Sequence, residues 1–141
     1  MKKENWSFTG DMLKTDYGIV HRIQSNKDID LKNGHVLIRE LGGYIDFECD
    51  LQDAWLDRYS KAYSADIKDG TLVKNSEVHY VSLSNCLVDN SCIVYDGNII
   101  DARIINSRID GDGSVAITGE YVNKIVEVKH GRMEVKDRVE E

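Results

Sequence analysis

The feature that most constrains this chain is an internal repeat between Thr71 and Ile109. A small residue, any residue and an aliphatic residue recur there, at steps of five residues with a single step of six. The triplets begin at Thr71, Ser76, Val81, Cys86, Ser91, Gly97, Ala102 and Ser107. Self-similarity at such a short period is typical of solenoids, and a fold prediction that ignores it fails as a whole.

Each triplet is interpreted as a short strand. Side chains alternate along a strand, so the small and the aliphatic residue of one triplet share a face and point inward. Two positions after each aliphatic residue stands a residue of the kind that forms corners. These predicted corners are Asn75, Tyr80, Asn85, Asn90, Tyr95, Asp101, Asn106 and Gly111. The pattern predicts an all-β fold, a single-stranded β-helix whose successive coils pair through their backbones around one aliphatic interior.

The shape of the coil is open at this stage. Five residues per side favour a four-sided coil of about twenty residues, as in pentapeptide-repeat proteins, and six residues per side give the left-handed three-sided coil of hexapeptide-repeat proteins. Residues 53–67 also allow two interpretations. Leu51, Trp55 and Tyr59 share one helical face, but the phase of the repeat extends backward through Ala54, Ser60 and Ala65. We favour rungs over a helix.

The two ends depart from the repeat, and the chain is predicted to be one folded unit with three segments. Residues 1–52 form an N-terminal β cap, residues 53–119 the repeat region, and residues 120–141 a C-terminal hairpin turning at His130-Gly131. In the cap, strands are expected at 6–9, 18–24 and 35–41, with a turn at Asn33-Gly34 and a glycine turn at Gly42-Gly43. The hairpin either covers the last coil or supplies a contact for a homodimer.

Composition excludes several classes of function. A formal net charge of -7 argues against direct binding of nucleic acid, which needs a basic surface. The 3 cysteines contain no C-x-x-C pair, and the histidines lack ligand spacing, so neither a disulfide framework nor a metal site nor a cofactor is predicted. Apolar runs are far shorter than the roughly 20 residues that span a bilayer. A cytoplasmic protein without membrane contact is expected.

Four segments resemble bacteriophage and prophage β-helix proteins that are often labelled transferases. They are Val20–Gln24, Asp28-Ile29, Leu41–Asp46 with its LGG sequence, and Asp53–Leu56. The resemblance covers roughly residues 17–110 and implies a phage protein acting in the cytoplasm of its host. The rungs of this chain are mainly five residues long, which departs from the hexapeptide pattern of that group. A shared fold does not by itself establish a shared activity.

One residue is a candidate for catalysis. Hexapeptide-repeat acyltransferases commonly use a histidine as general base, and His79 lies at an outward position of a rung with Glu77 beside it in sequence. Cys86 occupies an inward, packing position, and Cys92 has no neighbouring base that would make it a nucleophile. We therefore predict a protein without enzymatic activity and keep an acyltransferase-like enzyme as the alternative.

Acidic and apolar residues on the outside of the later coils are the predicted partner-binding site. The acidic members are Asp89, Asp96, Asp101, Asp110 and Asp112, and the apolar members are Leu87, Ile100 and Ile105. In a twenty-residue coil Asp69, Asp89 and Asp110 would form a column of carboxylates that imitates nucleic-acid phosphates. Aspartates that merely form corners are the alternative interpretation.

The predicted function combines these observations. We expect a protein-binding β-helix, encoded by a phage, that inhibits a host defence or nucleic-acid-handling enzyme in the manner of an anti-CRISPR protein or a DNA mimic. A structural component of the phage particle is a further alternative. The apolar residues named above are the expected contact or self-association patch.

Overall fold

The computed structural model describes residues 5–139, and the described chain is all-β, without a helix. It is a β-solenoid, as the repeat predicted, and it has about 5 turns. The strands are β1 (Trp6–Thr15), β2 (Gly18–Ser25), β3 (Ile29–Leu31), β4 (Gly34–Val36), β5 (Leu41–Ile45), β6 (Asp50–Gln52), β7 (Trp55–Leu56), β8 (Lys61–Tyr63), β9 (Asp66–Lys68), β10 (Leu72–Lys74), β11 (Glu77–His79), β12 (Ser82–Ser84), β13 (Leu87–Asp89), β14 (Cys92–Tyr95), β15 (Asn98–Ile105), β16 (Arg108–Gly111), β17 (Ile117–Val122), β18 (Lys124–Lys129) and β19 (Arg132–Asp137).

Two sheets run along the solenoid. The nine-stranded sheet has the order β1-β2-β5-β8-β11-β14-β16-β18-β19. Its strands are parallel from β5 to β18, and an antiparallel hairpin closes it at each end. In the eight-stranded sheet the long strand β15 pairs with β12 through its first half and with β13 through its second half. A short hairpin of β3 and β4 forms a separate two-stranded sheet, and its Ile29 and Val36 are buried in the common core.

The turn of the solenoid is shorter than expected. Lys61, Glu77, Cys92, Arg108 and Ile125 follow one another in register across the nine-stranded sheet, so one turn takes 15 to 17 residues there. From β5 to β14 the chain passes three strands per turn, as in the order β8, β9 and β10, and from β14 onward the longer strands β15 and β17 each replace two short ones. The twenty-residue turn is therefore wrong. A five-residue side was correctly recognised, but sequence spacing alone does not state after how many sides the chain returns to its starting point.

Corners were largely predicted correctly. Positive φ angles occur at six of the eight expected positions: Asn75, Tyr80, Asn85, Asn90, Asp101 and Asn106. Asparagine and aspartate tolerate this left-handed region better than most residues. The two exceptions are Gly111, which lies in β16, and Tyr95, whose fully buried side chain donates a hydrogen bond to the Val115 carbonyl. The six-residue step from Ser91 to Gly97 is where this strand is lengthened.

The interior contains an aliphatic column and a column of small polar residues. Val78, Ile93 and Ile109 are stacked in register and fully buried. Beside them, Ser76 N donates to Ser60 Oγ at 3.1 Å, and Ser91 N donates to Ser76 Oγ at 2.9 Å. The same contact joins Ser107 N to Ser91 Oγ at 3.0 Å. The small repeat position thus supplies buried hydroxyls that accept the backbone N–H of the equivalent serine in the next coil.

The solenoid extends beyond the repeat on both sides. Residues 53–67 form rungs, as favoured, because β8 and β9 pair in parallel with β11 and β12. Parallel pairing already begins at β5 and β6, before residue 53, and continues through β17 and β18 after residue 119. The coils therefore include residues whose sequence does not show the small-x-aliphatic pattern.

The cap differs from its prediction in three places. Strands β1 and β2 form one long hairpin turning at Asp16-Tyr17, where a loop was expected. The strand expected over 35–41 is broken after Val36, and Arg39 has a positive φ. Gly42 and Gly43 lie inside β5 and do not form a turn. A Cβ on Gly43 would stand 2.3 Å from the Ser60 carbonyl oxygen, so these glycines permit close packing of the first coil.

Candidate protein-binding surface

A group of rings, named here the Tyr17 cluster, joins the N-terminal hairpin to the outer face of the nine-stranded sheet. It comprises Tyr17, Tyr63, His79 and Tyr80. His79 stacks on Tyr63 with ring centroids 4.6 Å apart, and Tyr17 meets the His79 ring edge-on at 4.7 Å. Tyr63 and His79 are paired in register on β8 and β11, so the parallel ladder itself produces the stack. Tyr17 reaches this stack from the hairpin turn.

The hairpin is also fastened to the coils by a hydrogen bond. Tyr63 Oη donates to Thr15 Oγ1 at 3.1 Å, and Thr15 Oγ1 in turn donates to the Gly18 carbonyl at 2.8 Å. Burial raises the pKa of the Tyr63 phenol, so the hydroxyl stays protonated and remains a donor. Tyr17 itself is 65% exposed and Tyr80 is 55% exposed. In this cluster the rings of Tyr63 and His79 are buried, and those of Tyr17 and Tyr80 are open to solvent.

His79 is held in a position that suits packing better than proton transfer. Its Nε2 lies 3.2 Å from Glu77 Oε2, and only 3% of the residue is exposed. The carboxylate is the partner that the acyltransferase interpretation requires. The rings of Tyr63 and Tyr17, however, lie against the imidazole, where a substrate would have to approach. The contact with Glu77 fixes the orientation of the imidazole, and the Tyr17 and Tyr63 rings cover its faces.

A second ring group, named here the Phe47 cluster, lies at the start of the solenoid. Its members are Trp6, Phe8, His21 and Phe47. His21 and Phe47 are stacked with centroids 4.1 Å apart, and Phe8 meets both rings edge-on. Trp6 is buried, whereas Phe47 is 66% exposed. As in the Tyr17 cluster, rings anchored in the core lead to an exposed ring.

Exposed large apolar side chains concentrate in the N-terminal third of the described chain. Eight lie between Met12 and Phe47: Met12, Leu13, Tyr17, Ile19, Leu37, Ile38, Leu41 and Phe47. Aromatic residues and methionine are enriched in protein interfaces, the aromatic rings because each buries a large area with few rotatable bonds and methionine because its side chain adapts to the partner. These eight exposed residues, which include Tyr17 and Phe47 of the two clusters, are named here the N-terminal surface and are the candidate protein-binding residues. The sequence did not reveal this surface, because the position of Tyr17 depends on residues 10–17, which were expected to form a loop and instead extend the hairpin to its turn.

A polar groove of about 400 Å³ lies beside Glu77 on the same sheet. Its lining includes Tyr59, Lys61, Asn75, Glu77, Asn90, Cys92 and Arg138. Burial is the largest cause that raises the pKa of the Cys92 thiol, and Glu77 and Asp110 act in the same direction. The thiol is thus kept protonated, which opposes a role as nucleophile. The pKa of Cys86 is also raised by burial, and that of Cys49 is raised to about 12.

The predicted acidic site residues lie on different sides of the solenoid. Asp89 lies on β13 of the eight-stranded sheet, in register with Lys74 and Ile105. Asp110 lies on β16 of the nine-stranded sheet, in register with Val94 and Glu127. The expected column of Asp69, Asp89 and Asp110 is therefore not formed. Its basis was the twenty-residue turn, and a turn of about 16 residues brings other residues together.

Three of the aspartates have local structural contacts. Asp101 Oδ1 accepts from Asn85 Nδ2 at 2.7 Å, and Asp110 Oδ2 accepts from Arg108 Nε at 2.8 Å. Asp112 accepts from the His130 backbone N–H at 2.8 Å and also from the backbone and hydroxyl of Ser114. These hydrogen bonds, the His130 N–H first, lower the pKa of Asp112 to about 2. Asp96 is exposed beside the Gly97 turn.

The apolar members of the predicted site are divided in the same way. Leu87 and Ile105 lie on neighbouring strands, half-buried, on the face that also carries Asp89. Ile100 is 42% exposed and lies on the first half of β15, before the corner at Asp101. The structure therefore brings together Leu87, Asp89 and Ile105, and separates them from Ile100, Asp110 and Asp112.

Within residues 5–139, no group of three or more His, Cys, Asp or Glu side chains is arranged to hold a metal ion. That part of the chain also has no helix of the length and apolarity that crossing a membrane requires. No protein-family model matches this chain, and comparison with curated proteins and with solved structures gives no match either. The class that the fold defines is the β-solenoid.

Proposed function

We propose that this protein is a non-enzymatic β-solenoid that binds another protein through its N-terminal surface. The observation that carries the proposal is the set of eight exposed large apolar residues between Met12 and Phe47. Tyr17 rests on the buried rings of Tyr63 and His79, and Phe47 rests on the half-buried rings of Phe8 and His21, so both are positioned before binding. Interface residues that contribute most to affinity are often aromatic residues fixed in this way.

The partner class that we propose to test first is a host defence or nucleic-acid-handling enzyme. Its support is the net charge of -7 and the sequence resemblance to phage proteins. Such enzymes carry basic grooves, and an acidic protein is attracted to them at long range. In this proposal the aromatic surface supplies most of the affinity. Asp89 and Asp110, which lie on different faces, contribute to attraction and not to a phosphate-like row.

The decisive experiment compares capture of proteins from a lysate of the cells in which the protein is made. The test variant is Tyr17→Ala with Phe47→Ala, and the matched control is Val94→Ala with Ile100→Ala, exposed apolar residues of the coils. The test variant is expected to weaken capture of a specific partner at least about tenfold, as hot-spot truncations do. The control is expected to retain the partner. The proposal is contradicted if the wild type, the test variant and the control capture the partner equally, or if only the control loses it.

An acyltransferase-like enzyme is the second candidate, supported by the His79–Glu77 contact of 3.2 Å. It requires the Tyr17 ring to leave the imidazole before a substrate can bind. Tyr17→Ala should then increase transfer of an acyl group from an acyl thioester to an amine, and His79→Gln should abolish it. A rate equal to the uncatalysed rate for both variants and the wild type would remove this candidate. A structural phage component would be revealed by virion proteins among the captured partners.

A further inference from the structure

The last strand of the nine-stranded sheet, β19, has an unpaired edge. It pairs with β18 alone within the described chain, in a two-residue hairpin that turns at His130 and Gly131. Both turn residues have positive φ, as the tightest hairpin turns require. The other long edge, on β1, is interrupted by a register shift between Phe8 and Met12. An uninterrupted edge is the one that can accept another strand.

The turn determines which backbone groups of β19 face outward. In a two-residue hairpin, the residues flanking the turn exchange both backbone hydrogen bonds, and bonded pairs alternate with non-bonded pairs. Lys129 and Arg132 are the flanking pair. Farther along, Arg138 N donates to the Asn123 carbonyl at 2.8 Å, which agrees with the same alternation. The N–H and C=O groups of the intervening residues, Met133, Val135 and Asp137, therefore face the free edge.

We propose that two copies of this protein form a symmetric dimer by antiparallel pairing of β19 with β19, centred on Val135. In this register Val135 is opposite the partner's Val135, and Met133 is opposite the partner's Asp137. All of these are residues whose backbone groups face the edge, so about six inter-strand hydrogen bonds can form. The nine-stranded sheet of each copy then continues into that of its partner.

The two central charge pairs favour this register, and Arg132 and the partner's Arg138 face each other only at the two ends of the paired strands. Glu134 becomes opposite the partner's Lys136, and Lys136 opposite the partner's Glu134, at non-bonded positions where side chains of opposite strands are closest. A lysine on an edge strand ordinarily discourages pairing, but here it would meet a carboxylate. A register centred on Asp137 would place two aspartates opposite each other. One centred on Met133 would use the turn residue Gly131.

Apolar packing agrees with the charges. Val135 is 45% exposed and lies in register with Val126, which is fully buried in the end of the core. Val135 therefore continues an apolar row to the edge of the sheet, where it stops at solvent. In the proposed dimer the partner's Val135 continues that row. Each copy thereby covers an exposed valine of the other, beside the two charge pairs.

Sedimentation equilibrium of the full chain tests the dimer. The wild type is expected to dimerise, and Glu134→Lys, which places a lysine opposite the partner's Lys136, is expected to raise the dissociation constant about tenfold or more. Combining Glu134→Lys with Lys136→Glu exchanges the two charges and should restore the dimer. Glu127 also keeps a lysine partner in the exchange variant: its ion pair with Lys136 Nζ at 3.8 Å is lost, but a lysine then stands at position 134, directly in register with it. Lys14→Glu on the opposite edge is the control and should leave the mass unchanged.

Two results would overturn the dimer. One is a wild type that remains monomeric at the highest soluble concentration. The other is a dimer whose dissociation constant is the same in the wild type, the single variant and the exchange variant. The substituted side chains are exposed, so each variant is expected to retain the sheet, and circular dichroism checks this. Partner capture through Tyr17 and Phe47 is measured separately, so either proposal can fail without the other.

Discussion

The coils and the two ends of this molecule use the same strand pairing but differ in what they leave on the surface. From Ser60 to Ile109 the inward positions are small or aliphatic and buried, and the outward positions are mostly polar. In the cap, Met12, Tyr17 and Phe47 are each more than half exposed. The coils therefore carry the stability of the fold, and the ends carry the surfaces that other molecules can bind. Each substitution below tests this division.

The largest effect is expected from the aliphatic column. Ile93→Ala removes a fully buried side chain that is stacked between Val78 and Ile109, and should lower the free energy of unfolding by about 2–5 kcal/mol. Ile38→Ala, in the cap at 54% exposure, should change it by less than about 0.5 kcal/mol. Urea unfolding followed by circular dichroism measures both. Similar losses for the two variants would contradict the division between coils and cap.

A smaller effect is expected from the serine column. Ser91 Oγ accepts from the Ser107 N–H at 3.0 Å and donates to the Asp89 carbonyl at 2.8 Å. Ser91→Ala leaves a buried N–H without its acceptor, which should lower the free energy of unfolding by about 1–3 kcal/mol. Ser82→Ala, at an outward position of β12, is the control. Equal stability of the two variants would show that the hydroxyl ladder contributes little.

The smallest effect is expected at the C-terminal end and depends on pH. The pKa of Asp112 is about 2 in the folded protein, below its ordinary value of 3.8, because the carboxylate accepts the His130 N–H and the Ser114 groups. A depressed pKa stabilises the fold above the ordinary value, and this contribution is lost as pH falls toward the folded value. The stability difference between wild type and Asp112→Asn should therefore shrink between about pH 4 and pH 2. A difference that stays constant on acidification would indicate that the carboxylate charge is not involved.

The coils could be predicted from the sequence because the residue preferences that form them are local and recur at every side. An inward aliphatic residue such as Val88, a small residue such as Ser91 and a left-handed corner such as Asn90 each have a residue preference that recurs at every side. Tyr95 shows the limit of this reasoning. A tyrosine at a corner position was expected to resemble Tyr80, but its hydroxyl reaches the Val115 carbonyl from within the core.

The candidate surface was far less predictable. Tyr17 contacts Tyr63 and His79, which are distant from it in sequence, and no spacing rule joins a hairpin tip to two rungs. The predicted acidic column failed for a related reason: its members depend on the length of a turn. The pair Gly42-Gly43 was predicted to form a turn. The structure requires glycine at position 43 for a different reason, namely the close approach of the Ser60 carbonyl.

By itself the sequence determined that this protein is a β-solenoid, where most corners of the repeat lie and which aliphatic residues of the repeat fill its interior. These properties follow from side-chain alternation and from the residues that tolerate positive φ, both of which act over a few neighbouring positions. Only the tertiary structure decided the length of a turn, the long N-terminal hairpin and the aromatic surface. These three features depend on which strands pair with one another, for example β8 with β11 across 16 residues. Contacts between different coils decide that pairing, and the sequence of a single repeat does not contain them.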